Sequence, residues 1–201
     1  MRPLRWFVTA ALLAAATASA QEAPSAPGNR HGFWTTVGGG YVVARGTCDI
    51  CGDDPPYRKR VGLYAEIGGV VSKHVLASGE VFTQSGTLNQ AEVGQNHVRV
   101  TYVTGQLHWY PRSAPVYTRF GFGFSRGQNT FVQDGVEQKE VTTGVGIMFG
   151  LGADVPLGRK FSLSPVASWY MGAVGDFQTS AGLARSVSSN TWLVGVGLTL
   201  N

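Results

Sequence analysis

Beyond its first 20 residues the chain has no apolar run of the roughly 20 residues that a membrane-spanning helix needs. If the mature chain enters a membrane, it must do so as a closed β-barrel, because lipid offers no hydrogen-bond partner to an open sheet edge. Charge is scarce, at 14% of residues. Of 16 basic residues, Arg2 and Arg5 lie in the leader, which leaves 14 against 12 acidic ones, a net of +2. That balance carries no electrostatic footprint for nucleic acid. Cysteine is limited to Cys48 and Cys51. A zinc site needs two further ligands, and the nearest acids are Asp49, Asp53 and Asp54; no metal and no cofactor is expected. The phosphate-cradling G-x-x-x-x-G-K, the zinc-binding H-E-x-x-H and a complete G-x-G-x-x-G are all missing.

What is abundant is glycine, with 28 residues against a usual share of about 7%. Its setting is clearest at Val141 to Val155. Val141, Val145, Ile147, Phe149, Leu151, Ala153 and Val155 share one parity, with Thr143 the one polar residue among them. Thr142, Gly144, Gly146, Met148, Gly150, Gly152 and Asp154 share the other. Successive side chains of a strand point to opposite faces, so this is a long strand with a greasy face and a small or polar one. It exceeds the usual strand of about five or six residues and suffices for a tilted bilayer crossing of about 9–11.

The N-terminus reads as a secretory signal peptide over residues 1–20. Arg2 and Arg5 form the charged region, Trp6 to Ala16 the apolar one, and Ala18-Ser19-Ala20 the cleavage site. No Cys follows that site, so a lipoprotein anchor is not supported. Residues 21–30, with Pro24, Pro27 and Gly28, read as a flexible lead-in, and residues 31–201 as one barrel domain. Eight strand-like segments follow: Gly32 to Ala44, Arg60 to Val71, Val75 to Ser85, His97 to Tyr110, Val116 to Arg126, Val141 to Val155, Phe161 to Ala173 and Asn190 to Leu200. Pro165 removes a ladder hydrogen bond, so a bulge or break is expected there. In the fourth segment the set Val103, Leu107 and Trp109 is assigned to lipid, with Gln106 and His108 inside. The connections at 72–74, 111–115 and 156–160 are short. Those at 45–59, 86–96, 127–138 and 174–189 read as long loops. Short turns at one end and long loops at the other are the asymmetry of outer-membrane barrels. The expected fold is therefore all-β, an eight-stranded antiparallel up-and-down transmembrane β-barrel behind a cleaved signal peptide.

A soluble lipocalin-like barrel would carry its charge outside, whereas a membrane barrel carries it inside. The parity opposite the greasy one holds Arg60, Tyr64, Glu66, Glu80, Gln84, Tyr117, Arg119 and Asp154. Eight strands enclose a space just wide enough for side chains to fill. A lone buried charge costs several kcal/mol. We therefore expect a lumen network of Arg60, Tyr64, Glu66, Glu80, Arg119 and Asp154, with Glu66 and Glu80 near Arg119 plugging the barrel. The alternative is that these groups point into lumen water. Trp34, Tyr41, Trp109, Trp169 and Trp192, together with Tyr110, Tyr117, Phe161 and Tyr170, lie near segment ends, where rings form girdles at the headgroup level.

In these features the chain resembles the OmpA/OmpW-like family of small, porin-like outer-membrane β-barrels. The final Gly195-Val196-Gly197-Leu198-Thr199-Leu200 looks like that family's assembly signal, with Leu200 where an aromatic residue is usual and Asn201 after it. The resemblance implies a Gram-negative-type outer membrane. It also implies lipid and lipopolysaccharide around the barrel, and contact with the barrel-assembly machinery and periplasmic chaperones during biogenesis. In that oxidising compartment Cys48 and Cys51 are most simply a disulfide that stiffens the first long loop. His31, His74, His97 and His108 are scattered, and only His108 with Ser164 or Ser168 offers a loose nucleophile–base pairing; no catalytic site is expected. The expected role is structural or surface-interacting. The alternatives are a narrow pore or a lateral opening for small or hydrophobic solutes and, behind these, a lipid-modifying enzyme.

Overall fold

The computed structural model describes residues 32–49, 57–90, 94–111, 115–133, 136–179 and 182–201. The signal peptide, the lead-in and Cys51 lie outside the described residues. Nine strand segments occur: β1 (Phe33–Thr47), β2 (Arg58–Ser72), β3 (Val75–Gln90), β4 (Gly94–Trp109), β5 (Val116–Gln133), β6 (Val136–Ala153), β7 (Val155–Pro156), β8 (Phe161–Thr179) and β9 (Gly182–Leu200). Short β7 continues β6, so they form eight staves. Each neighbour pairs antiparallel, β1 pairs both β2 and β9, and β6 pairs β8, so the sheet closes on itself with no helix among the described residues. Closure removes the sheet edges along the staves.

The outer wall holds Val61, Leu63 and Ile67 on β2, Phe120, Phe122 and Phe124 on β5, Phe149 and Leu151 on β6, and Val194 to Leu200 in alternation on β9. Phe124 is 66% exposed, whereas Met148, on the opposite parity of the adjoining strand, is fully buried. Fully burying one such apolar side chain is worth roughly 1.5–3 kcal/mol. A wall made of them on every stave is tenable only in hydrocarbon. The expected inversion of faces is therefore the arrangement of this barrel, including β4, where Val103, Leu107 and Trp109 face out and Gln106 and His108 face in.

One expectation needs correction, and another resolves to the second of its two forms. Three of the four long loops are largely strand. β3 runs to Gln90 and β4 starts at Gly94; β5 runs to Gln133 and β6 starts at Val136; β8 runs to Thr179 and β9 starts at Gly182. Above the lipid band the outer face meets water and accepts polar residues, so the apolar alternation lapses and the pairing leaves no period-2 signal in the sequence, even where inward residues such as Asn129 and Phe131 stay buried. At Pro165 there is no bulge. The β8–β9 register passes through Pro165↔Val196 unshifted. On the other side the ladder stops at Gly152↔Val166 and resumes at Val155↔Leu163 in the same register. The missing amide thus appears as the break that separates β7 from β6, two residues opposite Ser164 and Pro165.

The core is the lumen. Near the short-turn end Trp34, Leu76, Tyr110 and Tyr117 pack together. Toward the long hairpins Val42, Tyr64, Phe82, Val100, Tyr102, Met148, Val166, Tyr170 and Leu193 form a second cluster, with Phe82 stacked on Tyr170 at 4.4 Å between ring centroids. These apolar clusters flank the buried polar and charged residues of the lumen, among them Glu66, Glu80, Gln106, His108 and Arg119. Backbone room admits the large rings. Side chains at Gly38 and Gly197 would meet Tyr64, with an added Cβ 2.5 Å from Tyr64 Cζ and 2.6 Å from Tyr64 Oη respectively.

Candidate functional site

Between the two apolar clusters lies a buried ionic set. Glu66 on β2 and Glu80 on β3 are directly paired across the ladder, and His108 on β4 is paired with Arg119 on β5. Two carboxylates at directly opposed positions repel, so their placement demands positive charge between them. Arg119 supplies it. Its Nη2 donates to Glu80 Oε2 at 2.9 Å and to the Tyr170 hydroxyl at 2.9 Å, and its Nη1 lies 3.8 Å from Glu66 Oε2. Tyr170 in turn donates to Glu80 Oε1 at 2.8 Å. His108 Nε2 lies 2.6 Å from Glu66 Oε1, and the Ser78 hydroxyl donates to that oxygen at 2.6 Å. All the charged side chains here are essentially inaccessible.

The apolar clusters clamp this set from both ends. His108 stacks on Tyr117 at 4.9 Å and leans on Trp34 at 5.6 Å, both from the short-turn cluster. Tyr170 and Tyr64 belong to the other, and the Arg119 guanidinium lies 6.0 Å from the Tyr64 ring centroid. At the short-turn end a second polar group forms. Tyr110 donates to Asp154 Oδ2 at 2.6 Å and Ser164 to Asp154 Oδ1 at 2.9 Å. Ser164 lies 2.8 Å from the Thr199 hydroxyl, which is 2.7 Å from that of Thr36. Strands β1, β8 and β9 are thereby laced to Asp154, in the break between β6 and β7, and to Tyr110, just past the end of β4.

The structure therefore brings Glu66, Glu80, Arg119 and Tyr64 together. It places Asp154 in a separate group and leaves Arg60, half-buried beside Gly86 of β3, in neither. Tyr170, Ser78 and the role of His108 are additions to the expected network, although Tyr170 and Ser78 share the lumen parity of their strands and parity alone would have found them.

The girdle expectation divides. Tyr41, Trp109 and Trp192 face outward and Trp169 lies half-exposed against Trp192 at 5.5 Å. Trp34 is a correction: it is 1% exposed and faces the lumen, because Phe33 and Val37 hold the outward parity of β1. Tyr110, Tyr117 and Tyr170 are inward for the same reason. As for catalysis, His108 is engaged by Glu66, and Ser164 is engaged by Asp154 and Thr199 rather than by His108. Among the described residues no group of three His, Cys, Asp or Glu could hold a metal ion.

One seam differs from the others. β6 and β8 pair only from Gly146↔Gly172 to Gly152↔Val166. The pair that would come next, Val145 and Ala173, is parted. From inside, the Ser125 hydroxyl lies 3.1 Å from both of their carbonyl oxygens. Here β8 shifts register on either side of Gly175, which has a φ of +84°. A cavity of about 320 Å³, lined by Val145, Ile147, Met171, Ala173, Ser188 and Asn190, opens there on the outer wall.

No family model matches the chain, and no curated protein matches it in sequence. Solved structures do match. Ail, the attachment invasion locus protein of Yersinia pestis, in complex with the heparin analogue sucrose octasulfate, superposes with a TM-score of 0.57 at 13% identity, covering 84% of this chain and 99% of that one. Neisserial surface protein A gives 0.54 at 10% identity, over 84% and 96% of the two chains. The outer membrane protein OprG of Pseudomonas aeruginosa gives 0.50 at 10%, over 87% and 98%. With its apolar outer wall and laced lumen, the chain has the fold of the small eight-stranded outer-membrane β-barrels.

Proposed function

We propose that this protein is an integral outer-membrane barrel of a Gram-negative-type bacterium, with a structural or surface-interaction role and a lumen closed to solutes. Delivery by the signal peptide, passage along periplasmic chaperones to the assembly machinery, and residence among lipid and lipopolysaccharide belong to the same reading. One observation carries it: Arg119, from β5, joins Glu80 and Tyr170 on the far strands β3 and β8 through one nitrogen, with apolar clusters packed at both ends. A packed, cross-braced interior favours a wall element over a water path. Reconstitution in planar bilayers tests this. The expected record is silent; steady unitary openings would refute the closed lumen.

The shortened β6–β8 ladder favours a second reading, lateral passage of apolar solutes through the parted seam. That role requires the seam to move. A Val145→Cys, Ala173→Cys pair oxidised across it would then abolish uptake of n-octane into liposomes, whereas equal uptake before and after oxidation removes this reading.

A further inference from the structure

The long β5–β6 hairpin carries a set of oxygens that the lumen network does not use. Asn129 on β5 stands directly opposite Glu140 on β6, and Thr142 follows two residues on, opposite Gly127. All three occupy the lumen parity. Asn129 is 7% exposed. Asn129 Oδ1, Glu140 Oε2 and Thr142 Oγ1 are each buried without a hydrogen-bond partner. A buried polar atom left unpaired costs about 1–3 kcal/mol, so three on adjoining positions of one face call for a common partner. All three can accept a hydrogen bond, the Thr142 hydroxyl being able to donate one as well, and the set carries one negative charge.

The hairpin's own cations do not serve it: Arg126 and Lys139 lie on the outward parity and are exposed. Arg60 packs beside Gly86 on β3. The chain's four lysines, Lys59, Lys73, Lys139 and Lys160, are all exposed. The complement of three acceptors and one negative charge is a group with three donors and one positive charge, and an –NH₃⁺ group has those attributes.

We propose that the inner face of the β5–β6 hairpin, at the long-hairpin mouth of the barrel, binds a primary ammonium group through Asn129, Glu140 and Thr142. The amine is carried by a small solute or by a headgroup presented at the mouth. The hydrogen bonds involve a charged donor, which makes them the stronger kind.

The test is a titration of the detergent-solubilised full barrel, read at the Asn129 side-chain amide and the Thr142 backbone amide by ¹H–¹⁵N spectroscopy. Ethylammonium chloride is the probe. Tetramethylammonium chloride matches its charge without N–H donors, and calcium chloride offers a hard metal ion. Saturable shifts with ethylammonium alone are expected, weakened about tenfold in Glu140→Gln, as loss of one charged hydrogen bond implies. If Glu140→Gln does not fold, as judged by heat-modifiable migration, Thr142→Val takes its place with the same expected direction. Equal shifts with tetramethylammonium, stronger saturation with calcium, or no saturable shift would each overturn the proposal. A phosphoethanolamine titration against ethylammonium then separates the headgroup source from the free amine.

Discussion

Replacing Arg119 with Met keeps much of the side-chain length and removes the guanidinium. Arg119 is 2% exposed, and the carboxylates it serves, Glu66 and Glu80, are directly opposed on β2 and β3. The substitution deletes the 2.9 Å bonds to Glu80 and Tyr170 and the 3.8 Å approach to Glu66. Glu66 keeps His108 and Ser78, while Glu80 keeps only the Tyr170 hydroxyl among these contacts. Removing one partner from a buried ion pair typically destabilises by about 3–5 kcal/mol, because the other charge stays buried and unmatched. The effect here belongs in that range, since two carboxylates lose their shared cation. Equilibrium urea unfolding in lipid vesicles reads it as a lower midpoint at unchanged slope. A second variant isolates the cause. Arg119→Met combined with Glu66→Gln and Glu80→Gln removes the unmatched charges too, and a neutralised set often recovers stability against the broken one. The triple variant should therefore be more stable than Arg119→Met alone. A loss below about 1 kcal/mol for Arg119→Met, the range of exposed ion pairs, would show that water reaches the lumen and that the network does not close it. A triple variant less stable than the single one would refute the electrostatic argument.

Three further outcomes follow from the same geometry. In single-tryptophan variants, brominated lipid should quench Trp192 and Trp109, which are 51% and 53% exposed, and spare Trp34 at 1%; quenching of Trp34 would restore it to the girdle. Gly197→Val should destabilise by about 1–3 kcal/mol, the usual cost of overpacking, because its Cβ would lie 2.6 Å from both Thr36 Cγ2 and Tyr64 Oη; part of that loss should vanish in a Tyr64→Ala background, which leaves the Thr36 contact, in the same urea assay. If Cys48 and Cys51 pair as the oxidising compartment suggests, maleimide should label neither in the purified protein until it is reduced, and labelling of either beforehand would disprove the pair.

The parts of the fold that are legible in the sequence are those where hydrocarbon imposes a rule. Val145, Ile147, Phe149 and Leu151 alternate with glycine and Met148 because lipid accepts only one face, and eight such segments with short turns at one end leave little freedom of topology. The rule lapses beyond the lipid band. Asn129 to Gln133 and Val136 to Glu140 are a paired hairpin, and Asn129 and Phe131 are buried on its inner face, but its outer face meets water rather than lipid and its sequence shows no apolar period. Trp34 illustrates a different lapse. A ring near a strand end sits in the headgroup region only if its parity faces out, and nearness to the end says nothing of parity.

The lumen set is legible as a list but not as a map. Parity marks Tyr64, Glu66, Glu80, His108, Arg119 and Asp154 as inward, yet which of them meet depends on how the staves are staggered when the sheet closes. Arg119 reaches Tyr170, 51 positions away, and Asp154 is claimed by Tyr110, 44 positions away. No local pattern encodes such distances. What the sequence does carry is the negative image of the large groups. Tyr64 fits where Gly38 and Gly197 lack side chains, and Tyr117 lies where Gly152 does. In an interior only wide enough to be filled, each large inward residue requires a small one facing it from another stave. Part of the glycine excess is thus the complement of the lumen residues, and matching inward glycines with inward rings narrows the staggers that a chain of this kind can adopt.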